Sequence, residues 1–130
     1  MVRISRRSGF TLIELLVVVT ILGVLAAIVT LSLVGLTTSA QAKACEQEYK
    51  TVQAGLDAYM AYFNVDTVTA AGPTSNMAAP VVLYNATGTP TFVRNSPTNF
   101  AYTWDGFGRI TAISQASGGP AVPAGCVVSG

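Results

Sequence analysis

Polar and apolar positions divide this chain into three textures. Across residues 15–42 no side chain carries a charge, a run of 28 residues rich in Leu, Val, Ile and Ala. At about 1.5 Å per residue, a helix over that run covers roughly 42 Å, against roughly 30 Å for a bilayer's hydrocarbon core. The pattern predicts a helix apolar on all sides and long enough to cross a membrane. From Lys43 the texture turns periodic. Cys45, Tyr49, Val52, Leu56, Tyr59 and Phe63 step alternately by four and three, while Glu46, Gln47, Lys50, Gln53 and Asp57 fall on the other side. That spacing predicts one apolar helix face, with Glu46 and Lys50 placed for an i,i+4 ion pair. Residues 43–63 contain no Pro and a single Gly, Gly55. One helix over residues 11–63 is therefore expected, roughly 80 Å long.

The third texture is broken into short pieces. Residues 64–80 hold Gly72, Pro73, Ser75, Asn76 and Pro80 and read as a loop. Runs suited to strands follow at residues 81–84, 91–94, 100–104, 109–114 and 126–129. Residues 100–113 read as a hairpin, with Asp105-Gly106-Phe107-Gly108 supplying positive-φ turn residues. Ser117-Gly118-Gly119-Pro120 makes a second break. The expected fold class is α+β: a long N-terminal helix, membrane-spanning in its first half and amphipathic in its second, packed on a small C-terminal antiparallel sheet.

Composition narrows the function. The chain has 130 residues, room for one domain, with 51% hydrophobic and only 10% charged residues. Arg3, Arg6 and Arg7 stand ahead of the apolar run without any acid; the remainder carries four basic and six acidic residues. A mature part of net −2 with no basic stripe gives no support for direct nucleic-acid binding. There is no histidine, so no Ser-His or Cys-His pair, and two distant cysteines do not make a zinc site. Asp57, Asp66 and Asp105 are scattered and form no acid/base couple. No enzyme, cofactor or metal is expected. Asn85-Ala86-Thr87 fits an N-glycosylation acceptor, a three-residue pattern that also arises by chance. Arginines before the apolar run and Lys43 after it predict a cytoplasmic N-terminus and an exported body. The run is about twice the length of a secretory signal's apolar core. Thr38-Ser39-Ala40-Gln41-Ala42 does have the small-x-small form, so conventional cleavage there stays an alternative.

The most specific stretch is Ser8-Gly9-Phe10-Thr11-Leu12-Ile13-Glu14-Leu15, a lone carboxylate at the lip of the apolar segment behind a basic leader. Over residues 6–36 the chain resembles the type IV pilins and the pseudopilins of type II secretion systems. The resemblance implies a leader, residues 1–9, cut off between Gly9 and Phe10 by a prepilin peptidase that methylates the Phe10 amine. It implies an assembly helix over residues 10–42 and a head over residues 43–130, with amphipathic helix 43–63, loop 64–80 and sheet 81–130. Glu14 would be the assembly residue and a homo-oligomeric helical filament the product. The precursor would sit in the inner membrane, served by the pilus or secretion assembly machinery, and the product would be an extracellular pilus or a periplasmic pseudopilus. A non-polymerising single-pass anchor for a binding module is the reading from another class. The family commonly has proline where this chain has Leu31, so the usual kink is not enforced here. Thr20, Thr30 and Ser32 are placed to bond back to carbonyls one turn earlier. Major pseudopilins often hold calcium in a C-terminal loop, and no matching acidic cluster occurs. A C-terminal disulfide is frequent in the pilins. Cys45, on the apolar helix face, and Cys126, in the last apolar run, either form one or remain two buried thiols. A bridge would close a loop of about 80 residues, worth roughly 4.5 kcal/mol by chain entropy.

Overall fold

The computed structural model describes residues 9–88 and 90–129, without the side chain of Val34. The basic leader with Arg3, Arg6 and Arg7 lies outside the described residues. The element order is one helix, α1 (Leu12–Phe63), followed by strands β1 (Ala71–Thr74), β2 (Phe100–Trp104) and β3 (Ile110–Gln115). The strands form one antiparallel sheet of order β1-β2-β3, which makes the chain α+β. By contacts the chain divides into two units, one up to Thr37 and one from Thr38 onward.

In the first unit the helix is alone. Every described side chain from Phe10 to Gln41 is exposed, including Leu12 at 89% and Leu31 at 80%. With Leu31 in place of a proline the helix is assigned without a break from end to end. Its few hydroxyls are satisfied within the helix: Thr20 Oγ1 donates to Leu16 O and Val17 O, Thr30 Oγ1 to Ala26 O and Ala27 O, and Ser32 Oγ to Ile28 O, all at 2.8–3.1 Å. Such back-bonding lets polar side chains sit in an apolar medium without an orphaned donor.

The second unit is built on the amphipathic part of the same helix. Cys45, Tyr49, Val52 and Leu56 are buried and Tyr59 is half-buried against the core, as the spacing predicts. Phe63, the last residue of that series, is 48% exposed, because the helix outruns the sheet. It joins Tyr59, Tyr62 and Phe92 in a surface cluster of aromatic rings with centroids 4.7–6.5 Å apart. Glu46 bridges Lys50 at 2.7 Å and Lys43 at 2.9 Å on the outer side. Trp104, Tyr102, Met77, Leu83 and Ile110 complete the core opposite the helix. At Gly55 a loop packs closely on the helix: a Cβ there would lie 2.7 Å from Val93 Cγ1.

The sheet departs from expectation in three places. A strand, β1, lies inside residues 64–80, where a loop is expected, and the sheet is not confined to residues 81–130. Gly72-Pro73 does not break it, because β1 is an edge strand where a missing N–H costs no ladder bond. Ala71 faces Trp104 and Thr74 faces Tyr102, so the Gly-Pro pair supplies the extra residue of a β-bulge. Residues 81–84 and 91–94 are not strands. Leu83 O accepts from both Phe92 N (2.8 Å) and Val93 N (3.1 Å), and Met77 O accepts from Leu83 N and Tyr84 N, so carbonyls are shared instead of alternating in a ladder. Their apolar side chains Val81, Leu83 and Val93 are nevertheless buried. Residues 126–129 form no strand either; a disulfide and a side-chain hydrogen bond hold them instead.

The β2–β3 hairpin is as expected, with one refinement in its turn. Asp105 N donates to Arg109 O, Gly108 N donates to Asp105 O, and Gly108 alone of the four turn residues has positive φ, at 73°. Asp105 Oδ1 accepts from Phe107 N and Arg109 N, both at 2.9 Å, and fastens the turn from inside.

Cys45 and Cys126 form a disulfide across 81 residues of sequence, with Cα atoms 5.9 Å apart. Tyr49 Oη donates to Ser129 O one helical turn further along. The Cys45→Ala/Cys126→Ala double variant should lose roughly 4.5 kcal/mol by chain entropy. Urea unfolding of the detergent-solubilised full chain, followed by Trp104 fluorescence, measures it.

Candidate functional site

Two constellations carry the polar chemistry, one in each unit. At the start of α1, Thr11 and Glu14 form a reciprocal capping box. Glu14 N donates to Thr11 Oγ1 at 3.3 Å, and Thr11 N donates to Glu14 Oε2 at 2.8 Å. Leu15 N donates to Thr11 O as the first helix bond, which makes Thr11 the N-cap and Glu14 the third helical residue. The Thr-x-x-Glu spacing is legible in the sequence, and this capping role of Glu14 stands beside the assembly role expected of it. The cap matters physically: the first helical N–H groups have no intrahelical partner, and in an apolar medium each would be costly. Glu14 satisfies one and leaves its carboxylate at the edge of a groove of about 400 Å³ lined by Phe10, Ile13, Val17 and Val18. Gly9 and Phe10 precede the helix in extended or irregular backbone, both exposed, with Phe10 at 91%. A peptide bond in that setting is open to a protease.

In the second unit two helix side chains fasten the sheet. Glu48 Oε1 accepts from Phe100 N and from Tyr102 Oη, both at 3.0 Å, and its Oε2 accepts from Asn99 Nδ2 at 2.6 Å. One carboxylate thus holds the entry of β2 against α1. Gln53 does the same for the other end of the hairpin: its Oε1 accepts from Ile110 N at 2.9 Å, and its Nε2 donates to Gly108 O at 2.9 Å and to Asp57 Oδ1 at 3.1 Å. Helical spacing places Gln53 on the solvent side, and nothing in the sequence analysis singles out Glu48. Both flank the buried stripe, since Glu48 precedes Tyr49 and Gln53 follows Val52. That flanking position is the signal that was available. Burial, with the Glu48 charge second, pushes the Tyr102 phenol well above its usual value of 10.0. Grooves of about 380 and 470 Å³ open on either side of the Glu48–Asn99 contact.

Cys45 and Cys126 meet, as described above; Glu14 and Phe10 line one groove; Gly9 and Phe10 are adjacent by sequence. Among the described residues no three His, Cys, Asp or Glu side chains converge as metal ligands. Asn85 and Thr87 form an Asx turn in an exposed loop, with Asn85 Oδ1 accepting from Thr87 N and Thr87 Oγ1. α1 is long and apolar enough to cross a membrane, and its most apolar stretch is buried nowhere in the chain.

Set against known proteins, residues 4–30 match the prokaryotic N-terminal methylation motif. The chain therefore carries the hallmark of type IV pilin and pseudopilin precursors, proteins that are structural and processed at the membrane by a prepilin peptidase. No curated protein and no solved structure matches the chain.

Two outcomes follow from this geometry. Thr11→Val should cost about 1 kcal/mol of helix-end stability, whereas Thr11→Ser should not; amide exchange at residues 12–15 in detergent micelles measures the difference. The raised phenol makes the head pH-sensitive on the alkaline side. Its stabilisation is fully present below the unfolded pKa of 10.0 and is lost as pH rises beyond it. Tyr102→Phe should flatten that alkaline slope in urea melts between pH 8 and about 11.

Proposed function

We propose that the chain is the structural subunit of a type IV pilus-like filament. It is made as a single-pass precursor in the inner membrane, N-terminus cytoplasmic and head exported. A prepilin peptidase cuts between Gly9 and Phe10 and methylates the new amine. Cutting ahead of the apolar segment keeps the anchor on the mature chain, which then polymerises through it.

The observation that carries this reading is the lone Glu14 carboxylate at the lip of an apolar helix whose described side chains, up to Gln41, are all exposed. Once out of lipid, such a surface must be covered, and copies of the same helix offer a matching apolar surface. Apolar contact is non-directional and sets no stagger. The Phe10 amine of a neighbouring copy, held beside Glu14, would set one. Out of register, a charge is left in an apolar core, and losing one partner of a buried pair typically costs about 3–5 kcal/mol. The Cys45–Cys126 bridge fits a head that matures on the oxidising side of the membrane. A secretion pseudopilus would use the same assembly physics; a solitary membrane anchor would use Glu14 for the helix cap alone.

Mass spectrometry of the mature protein should find N-methylated Phe10 at its start. Glu14→Ala should be cleaved like wild type yet enter sheared fibres more than about a hundredfold less. Normal fibres from that variant, an intact Met1, or a start after Ala42 would each overturn the reading.

A further inference from the structure

The head has an exposed apolar tip at one end and an open apolar groove at the other. Phe107 sits at the tip of the β2–β3 turn and is 70% exposed, on a segment otherwise held rigidly. Asp105 Oδ1 fastens the turn from inside, Gly106 O accepts from Val68 N at 2.8 Å, and Gly108 O accepts from Gln53 Nε2 at 2.9 Å. Gly108 lies against Met60, which puts the tip near the last turns of α1. The groove of about 470 Å³ lies at the level of Gln41, Ala44 and Glu48, walled on its far side by Pro120, Ala121 and Pro123 with Phe100. Sixteen residues separate Ala44 from Met60 on the helix, roughly 24 Å along its axis. Tip and groove are thus at opposite ends of the head and cannot meet within one copy.

Their chemistry is complementary. A phenyl ring fits a groove walled by proline, alanine and phenylalanine. Beside Phe107 stands Arg109, exposed; at the groove stands Glu48. Among the described residues the ion pairs are those of Glu46 with Lys43 and Lys50, and neither Arg109 nor Glu48 has a charged partner among them. Asp105, next to Arg109, accepts from two backbone N–H groups, and Glu48 accepts from Asn99 Nδ2, Phe100 N and Tyr102 Oη, so each carboxylate keeps its charge while held in place by hydrogen bonds.

We propose that the hairpin tip of one copy, Phe107 with Arg109, docks into the groove between α1 and the C-terminal segment of a second copy. Such a contact joins two different patches, so it is heterologous; where the rotation does not close, it propagates as an open helical array. The prolines and the disulfide on one side and the fastened turn on the other are ordered before contact, which lowers the entropic cost of docking. The inference rests on the filament reading and adds to it the partner surface of the head.

Cysteine pairing in cells tests it. In the Phe107→Cys/Ala121→Cys double variant of the full chain, oxidation of sheared fibres should give a ladder of covalent multimers, absent from either single variant. Phe107→Ala should lower sheared fibre by about tenfold through lost apolar burial, and Arg109→Glu should lower it while Arg109→Lys retains it. Wild-type amounts of fibre from the double variant without a ladder overturn the docking and leave the filament reading standing. No fibre from wild-type cells either, and no ladder in their membranes, overturns both.

Discussion

A helix that leaves water loses the partner that would satisfy any unpaired backbone group, and the continuity of α1 answers that loss. From Leu12 to Phe63 the backbone pairs with itself. The hydroxyls of Thr20, Thr30 and Ser32 bond back into the ladder, and the exposed start is closed by Thr11 and Glu14. With these satisfied, the helix past its first turn needs nothing polar from its surroundings, and its outer surface is free to be purely apolar; the N–H groups of Leu12 and Ile13, at the very start, keep that need. The same ladder runs on into the head, where the side chains change and the backbone does not. One secondary-structure element thus carries both a surface apolar enough for a membrane and the face that builds the head's core.

The head has a different problem. It is small, its sheet has only three short strands, and a domain of this size buries a modest share of its surface. Its stability is concentrated in specific ties between α1 and everything that follows. Cys45, Glu48, Tyr49 and Gln53 lie within nine residues of helix and reach three segments: Cys45 and Tyr49 the C-terminal run at Cys126 and Ser129, Glu48 the entry of β2, and Gln53 the start of β3. Val52 and Leu56 fill the space between. Irregular chain can then replace strands without loss of core, because Met77, Leu83 and Val93 are buried by being held over the helix, not by being paired in a ladder.

What was readable in advance follows from how local each determinant is. The helix was legible because 3.6-residue periodicity and the absence of proline are properties of adjacent residues. The hairpin was legible because Asp105 and Gly108 define its turn within four positions. The runs at residues 81–84 and 91–94 read as strands and are not, because pairing depends on which carbonyl a distant N–H finds. β1 was hidden by Gly72-Pro73, whose breaker reading fails only because the strand lies at a sheet edge, a fact of topology. Glu48 was hidden for the same reason: its partners Asn99, Phe100 and Tyr102 are more than fifty residues away. Of the candidate assembly site, the order Gly9, Phe10, Glu14 was plain in the sequence, while the capping role of Thr11 was equally local and was overlooked beside the stronger signal.

That capping role bears on how a charge at Glu14 could set register. A bare carboxylate at the edge of lipid would seek any cation, and a strong but undiscriminating attraction would serve mispaired copies as well as paired ones. Here one oxygen is already engaged by the Thr11 amide, 2.8 Å away, and the side chain is fixed against its own helix. In the proposed assembly a neighbour's amine would gain the pairing only by arriving at a position the cap has set, so the interaction would reward geometry more than proximity. The net attraction is smaller than that of an unattached charge, because part of the desolvation is already offset within the chain. The penalty for a wrong stagger is not reduced in the same measure, since the misplaced amine still finds only apolar side chains beside it. A capped acid therefore discriminates between registers better than it binds, which is what a subunit repeating one stagger along a fibre requires.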